Sequence, residues 1–172
     1  MVAENSIICV IDIQEEFIDS EYRSYINKIY KLISKTSIPV ISFMFKNKNN
    51  STYCTELNWC KVVDEEPSLP DYLRTNSDIT ITRFGYDGTA SEDFKDYVIN
   101  NEINTCYLVG CEIDACVLST AFGIFNMNIR PIIIKDCCYT FASEKVRESS
   151  LNVLQRNIGS QNIIELSEVI NN

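Results

Sequence analysis

Apolar residues in this chain fall into short runs rich in isoleucine and valine, and more polar, helix-like segments separate the runs. Runs of this length bounded by polar residues are typical of β-strands. Because the runs are almost continuously apolar, the strands should be buried on both faces, as in a parallel sheet. The predicted strands are residues 6–11, 39–45, 79–81 with their flanks, 105–109, 131–135 and 163–166.

The segments between the strands show the spacing of helices. In residues 20–34 the apolar positions lie close to helical spacing, and Ser91 precedes an acidic first turn as an N-cap residue would. The predicted helices are residues 20–34, 91–101, 114–126 and 143–155. Strands alternating with helices predict an α/β protein. We expect a single domain over residues 1–172, a three-layer Rossmann-like fold with a central, mostly parallel sheet of about six strands.

One long connection, residues 46–76, departs from this alternation because it is polar and irregular. In a compact domain such a connection is often a lid or a wall of a binding site. Polar residues also follow three strands: Asp12, Arg83 and the turn 110–116. Ligands of open parallel sheets bind outside the carboxyl ends of the strands. These three features are therefore predicted to converge on one site.

The chain contains no histidine, and this absence excludes several mechanisms. Ser-His-Asp and Cys-His arrangements need an imidazole base, and many zinc sites need histidine ligands. Any hydrolysis must use carboxylate, thiol, hydroxyl, lysine or arginine groups. The net charge of −9 argues against binding to nucleic acid or to anionic membranes. No apolar run approaches the ~20 residues that span a bilayer, and the N-terminus lacks the features of a signal peptide.

Eight cysteines are present, and no two have the C-x-x-C spacing of metal or redox motifs. Several lie within apolar runs, where free cysteine behaves as a small hydrophobic residue. We therefore interpret them as reduced thiols and expect a cytoplasmic protein.

Two segments resemble the isochorismatase-like superfamily of cysteine hydrolases, which includes N-carbamoylsarcosine amidohydrolase, ureidoacrylate hydrolases and nicotinamidases. The family's D-x-Q-x-x-F motif is matched by Asp12, Gln14 and Phe17. Its G-x-x-T-[DN]-x-C-V-x-x-T-A motif is matched, from Gly110 onward, at most of its positions. The matching residues are Gly110, Asp114, Cys116, Val117, Thr120 and Ala121.

The resemblance implies a triad in which Cys116 is the nucleophile, Asp12 is the base, and Arg83 occupies the place of the family's lysine. It implies attack on the carbonyl of a small molecule, cleavage of an amide or ureido C–N bond, and a thioester intermediate. The helix that begins near Cys116 should help to hold a thiolate. The backbone N–H groups of Ala115 and Cys116 would form an oxyanion hole.

The resemblance further implies a cis peptide bond between Glu112 and Ile113, with Gln14, Phe17 and Asp114 in supporting roles. It implies no cofactor and no metal, and a homo-oligomer, either a dimer or a tetramer. Two positions depart from the family pattern: Arg83 replaces lysine, and Ile113 replaces threonine. The metal-binding nicotinamidase branch uses histidine ligands that this chain lacks.

Three alternatives stay open at this point. A catalytically weak family member could act as a module that binds a ligand or a protein. A thiol-redox sensor would fit the number of cysteines. Asp12 could be a strand-end cap and Cys116 one more buried thiol. Trp59 and Tyr86 could line the pocket, although aromatic residues are more often core.

Overall fold

The computed structural model describes residues 4–63 and 65–171. The predicted domain also includes residues 1–3 and 172, and the long connection includes Asp64. These residues lie outside the described part of the chain. The strands are β1 (Ser6–Ile11), β2 (Val40–Phe45), β3 (Ile79–Arg83), β4 (Thr105–Cys111), β5 (Arg130–Tyr139) and β6 (Ile163–Ile164). The helices are α1 (Arg23–Lys35), α2 (Thr52–Thr55), α3 (Asp71–Asn76), α4 (Glu92–Asn100), α5 (Cys116–Asn126), α6 (Glu144–Ile158) and α7 (Leu166–Ile170).

The six strands form one parallel sheet in the order β3-β2-β1-β4-β5-β6. β1 lies near the centre and every one of its residues is buried. Its residues alternate between two separate cores: Ile7 packs beneath α4, α5 and α6, and Ile8 packs beneath α1, α3 and α7. Helices therefore cover both faces, because a strand without a polar face needs apolar partners on each side. The predicted three-layer α/β fold with a six-stranded parallel sheet is confirmed.

β5 extends further than predicted. The sequence suggested a strand over 131–135 that ends before Asp136, but β5 continues to Tyr139. An irregularity in the pairing of β4 with β5, between Leu108 and Gly110, shifts the register and lets pairing resume. Asp136 therefore lies within the strand, where its carboxylate accepts a hydrogen bond from the N–H of Leu166 at 2.8 Å and pairs with Lys28 at 3.4 Å.

The prediction that all eight cysteines are reduced is wrong for two of them. Cys54 and Cys60 form a disulfide, with their Cα atoms 4.8 Å apart. The backbone brings them together, because the N–H of Trp59 donates to the carbonyl oxygen of Tyr53 at 2.8 Å and closes a tight turn. The other six cysteines are free and buried. The cytoplasmic location, which was inferred from reduced thiols, stays a prediction.

Candidate active site

The first candidate residue, Asp12, directly follows β1, and a sharp backbone turn sets its position. Its φ of 52° lies in the left-handed region, where a residue with a side chain is held at a cost of roughly 1 kcal/mol or more. Its N–H donates to the carbonyl oxygen of Phe43 at 3.0 Å and so continues the pairing with β2. The carboxylate is thereby fixed at the carboxyl end of the sheet, as predicted.

Arg83 is the last residue of β3, and its side chain reaches across the end of β2 to Asp12. One guanidinium nitrogen, Nη2, donates to Asp12 Oδ2, and the other, Nη1, donates to the carbonyl oxygen of Gly85. The guanidinium lies over the ring of Phe45, 5.7 Å from its centroid. Both side chains of the Asp12–Arg83 ion pair are only 4% exposed. The predicted convergence of these two residues is therefore present.

The third element is the turn between β4 and α5. Gly110 has φ 119°, and a Cβ atom there would lie 2.1 Å from the carbonyl oxygen of Ile11, so only glycine allows β4 to approach β1 this closely. The cis peptide bond lies between Cys111 and Glu112, not between Glu112 and Ile113 as predicted. The prediction was one residue late because the turn begins at Cys111 itself, the last residue of β4 to pair with β5. Ile113 has already turned back, and its N–H donates to the carbonyl oxygen of Tyr139 at 2.9 Å.

Cys116 is the first residue of α5 and is 8% exposed. Its thiol lies beside both members of the ion pair, since Asp12 and Arg83 each influence its ionisation through charge and hydrogen bonding. Asp12 Oδ1 is buried and accepts no hydrogen bond of conventional geometry, so it can accept a proton from the thiol. A carboxylate, a guanidinium and a thiol thus meet at one point, as the sequence predicted.

The charges of the cluster favour a neutral thiol in the resting state. Burial, followed by the charge of Asp12, raises the pKa of Cys116, and the charge of Arg83 only partly opposes this. Burial raises the pKa of Asp12, while Arg83 and Cys116 lower it. Burial alone would lower the pKa of Arg83, but Asp12 and Cys116 raise it overall. A permanent cation beside two buried acids stabilises one negative charge between them, and the raised pKa of Cys116 favours the thiol over the thiolate. The expected stable thiolate is therefore not favoured.

The backbone donors near the nucleophile differ in part from the predicted oxyanion hole. The N–H of Ala115 already donates to the carbonyl oxygen of Glu112 at 3.1 Å. Among the described residues, the N–H groups of Cys116 and Glu112 donate no comparable backbone hydrogen bond. Cys116 therefore retains a donor for a ligand, Glu112 provides a second one, and Ala115 would first have to release its present partner.

The supporting residues take different places. The side chain of Gln14 is buried and donates to and accepts from the backbone of Phe45, at 3.2 and 2.8 Å, so it fixes the end of β2 and does not face the cavity. Phe17 lines the cavity. Asp114 also lines it, and its carboxylate accepts a hydrogen bond from the hydroxyl of Thr140 at 2.6 Å.

A cavity of about 820 Å³ opens above the Asp12–Cys116 pair. The sequence predicted part of its wall. The long connection supplies Tyr53, Leu57, Trp59 and Lys61, in agreement with its predicted role as a wall. Three further aromatic residues lie at or just beyond strand ends, namely Phe45, Tyr86 and Phe141. Aromatic residues in a polar connection and just beyond strand ends were the signal that could have identified them.

The fold and this cluster define a class of protein: a Rossmann-like α/β domain with a candidate nucleophilic cysteine at the carboxyl ends of its strands. Within that class the chain belongs to the isochorismatase family of hydrolases, because the model of the isochorismatase domain matches residues 6–163. The resemblance predicted from the two motifs is confirmed. No functionally curated protein matches the chain significantly.

Solved structures show the same fold over nearly the whole chain. An isochorismatase-like hydrolase from Alkaliphilus metalliredigens has a TM-score of 0.83 at 19% identity, covering 97% of this chain and 98% of that one. A cysteine hydrolase from Pseudomonas syringae pv. phaseolicola has a TM-score of 0.81 at 14% identity, with coverage of 97% and 91%. A nicotinamidase from Bacillus subtilis has a TM-score of 0.79 at 18% identity, with coverage of 94% and 99%. At these identities the likeness concerns the fold alone. Within the described residues, no helix has the length and apolar character that crossing a membrane requires.

Proposed function

We propose that this protein is a cysteine hydrolase that cleaves the C–N bond of a small amide or ureido compound through a thioester on Cys116. The observation that carries the proposal is the buried Asp12–Arg83 ion pair directly beside the Cys116 thiol, at the floor of a cavity large enough for a small molecule. The nicotinamidase and the cysteine hydrolase among the similar structures support the same class of reaction.

In the first half of the proposed reaction, Cys116 Sγ attacks the substrate's carbonyl carbon and Asp12 takes the thiol proton. This is general-base catalysis, which suits a thiol that is neutral at rest. The carbonyl oxygen becomes negatively charged and accepts hydrogen bonds from the N–H groups of Cys116 and Glu112. As the intermediate collapses, the C–N bond breaks, the nitrogen takes the proton from Asp12, and ammonia or an amine leaves.

In the second half, a water molecule attacks the thioester carbonyl and gives a proton to Asp12. Collapse of this intermediate breaks the C–S bond, releases the carboxylic acid or carbamate, and returns the proton to Cys116. Arg83 stays protonated throughout and has a positioning role, because its fork holds Asp12 Oδ2 and leaves Oδ1 for proton transfer.

The proposal is tested by measuring ammonia release from a panel of small primary amides and ureido compounds. Cys116→Ser and Asp12→Asn should each lower kcat by at least about a hundredfold, the lower range for loss of a positioned acid–base group. Cys137→Ser removes another buried thiol, outside the cavity, and should leave turnover unchanged. Intact-mass analysis after rapid quenching should show the acylated chain in the native protein and not in the serine variant. Turnover that survives in Cys116→Ser would contradict the proposal.

A second candidate function is a module that binds a small ligand without turning it over. The observation that favours it is the double engagement of Arg83, whose guanidinium bonds both Asp12 and the carbonyl oxygen of Gly85 and could hold the base too rigidly. Measuring turnover and ligand binding in Arg83→Lys, which restores the family's residue, distinguishes the two candidates. A gain in turnover would show that arginine limits catalysis in the native chain, whereas ligand binding without turnover in both forms would support the module.

A further inference from the structure

The rim of the cavity is strongly acidic. Two carboxylates, Glu16 and Asp19, come from the loop after β1, and two more, Glu112 and Asp114, come from the turn before α5. Among the described residues that line the cavity, Lys61 is the one basic residue. The charge of Arg83 is neutralised by its partner and lies behind the wall. A cavity bordered by one sign of charge attracts ligands of the opposite sign.

A large part of the cavity wall is aromatic and continuous. Five rings follow one another, with neighbouring ring centroids 5.0 to 6.1 Å apart. In order they are Phe17, Trp59, Phe45, Tyr53 and Tyr86. Aromatic faces attract cations through the ring quadrupole, most strongly when water is excluded. Burial raises the pKa of Tyr53 to about 12, so the wall stays uncharged at physiological pH.

Tyr86 is the place where the acidic and aromatic sides meet. Tyr86 lines the cavity together with Cys116, Glu112 and Asp114. Burial, followed by the charges of these three residues, raises its pKa. The two carboxylates are held in place by Thr140, whose hydroxyl is 2.6 Å from Asp114 Oδ1 and 3.3 Å from Glu112 Oε2. The second oxygen of each carboxylate makes no hydrogen bond to another described residue.

We propose that the cavity selects amides or ureido compounds that carry a cationic group, a primary or quaternary ammonium. The cation lies between the ring of Tyr86 and the carboxylates of Glu112 and Asp114, while the carbonyl group lies at Cys116. This inference rests on the proposed function, since it names the substrate class of the same site. Its charge preference, however, is a property of binding and can be measured without turnover.

The experiment uses two amides of the same shape, trimethylammonio-acetamide and 3,3-dimethylbutanamide, which differ in a single atom and in charge. Binding is measured on Cys116→Ala by calorimetry and by the fluorescence of Trp59, the only tryptophan of the chain and part of the cavity wall. The cationic amide should bind at least about tenfold more tightly than its neutral counterpart, the size of a desolvated cation–π contact in an acidic site.

Asp114→Asn removes one charge of the acid pair and keeps an oxygen for Thr140, so the ratio of the two affinities should fall about threefold or more. Glu92→Gln makes the same change of charge on α4, outside the cavity, and should leave the ratio unchanged. Raising the salt concentration should lower the ratio in the parent protein and less so in Asp114→Asn.

Equal affinity for the two amides, or no binding of the cationic amide at millimolar concentration, would overturn the inference. So would tighter binding of the anionic amide succinamate, which would assign the specificity to Lys61. A clear preference for the cation with no ammonia release from any amide would support the inference and count against the proposed hydrolase. Ammonia release from both amides, together with equal affinities, would support the proposed hydrolase and contradict the preference for a cation.

Discussion

Replacing Arg83 by methionine removes the partner of a carboxylate that water hardly reaches. Methionine keeps most of the length and apolar bulk of the arginine stem, so the main change is the loss of charge and of two hydrogen bonds. Removing one member of a buried ion pair costs about 3–5 kcal/mol, because the other charge stays buried without compensation. Both side chains of this pair are 4% exposed, so solvent screening offers little relief. Set against a typical unfolding free energy of about 5–15 kcal/mol, the loss is large.

The loss should depend on pH in a definite direction. Without Arg83, burial leaves the pKa of Asp12 further above its unfolded value of about 3.9. An acid whose pKa is raised by folding does not lower the unfolding free energy below its unfolded pKa, because it is protonated in both states. Between the unfolded and folded pKa values, the protein loses about 1.4 kcal/mol of unfolding free energy per pH unit as the pH rises. The cost of Arg83→Met, relative to the native chain, should therefore be smaller at pH 5 and largest at pH 8.

Urea unfolding followed by circular dichroism at pH 5, 6.5 and 8 measures this difference. Arg74→Met is the matched control, since Arg74 pairs with Asp71 on α3 with the two side chains 69% and 92% exposed, and such a pair contributes less than about 1 kcal/mol. Adding Asp12→Asn to Arg83→Met should remove the dependence on pH. The reasoning is refuted if Arg83→Met costs no more than the control, or if its cost is the same at pH 5 and pH 8.

Three shorter predictions concern the cysteines and one glycine. Iodoacetamide should alkylate Cys116 at a rate that still rises above pH 9, because its pKa is raised by burial and by the neighbouring carboxylate; a rate plateau below pH 7 would mean a resting thiolate. Titration of thiols in denaturant should find six free groups before reduction and eight after it, whereas eight at the outset would rule out the Cys54–Cys60 disulfide. In the same urea assay, Gly110→Ala should lower the unfolding free energy by more than about 2 kcal/mol, because its Cβ would meet a β1 carbonyl oxygen. Gly85→Ala is the control and should change the unfolding free energy by less than about 1 kcal/mol, because the space around Gly85 is open.

The sheet could be predicted from the sequence because its strands carry the signal themselves. Each residue of β1 is buried, so the strand has to be apolar throughout, and that continuity distinguishes it from an alternating surface strand. The convergence of Asp12 and Cys116 followed from the same logic, because neighbouring parallel strands end at the same edge. The extension of β5 was missed because a register irregularity beside Leu108 and Gly110 depends on its partner strand and leaves no mark in its own sequence.

The cavity wall was hidden for a different reason. Phe17 was predicted as a supporting residue, but Phe45 lies at the end of β2 and Tyr53 in the connection over residues 46–76, and the rings come together only in the folded chain. Such contacts join residues far apart in the chain and follow no period, so a reading of local pattern cannot assign them. The disulfide between Cys54 and Cys60 was missed likewise, since it depends on a turn closed by one backbone hydrogen bond.

The strand order also explains why an arginine can take the place of the family's lysine here. β2 separates β3 from β1, so a side chain from the end of β3 has to cross a whole strand to reach Asp12. The guanidinium makes the crossing with one nitrogen anchored on Gly85 and the other on Asp12, and the ring of Phe45 lies beneath it. A lysine has a single terminal nitrogen and could not bridge the same two acceptors in a fixed fork. Arginine therefore holds one oxygen of the base in a defined direction, and the other oxygen is left for the proton of Cys116.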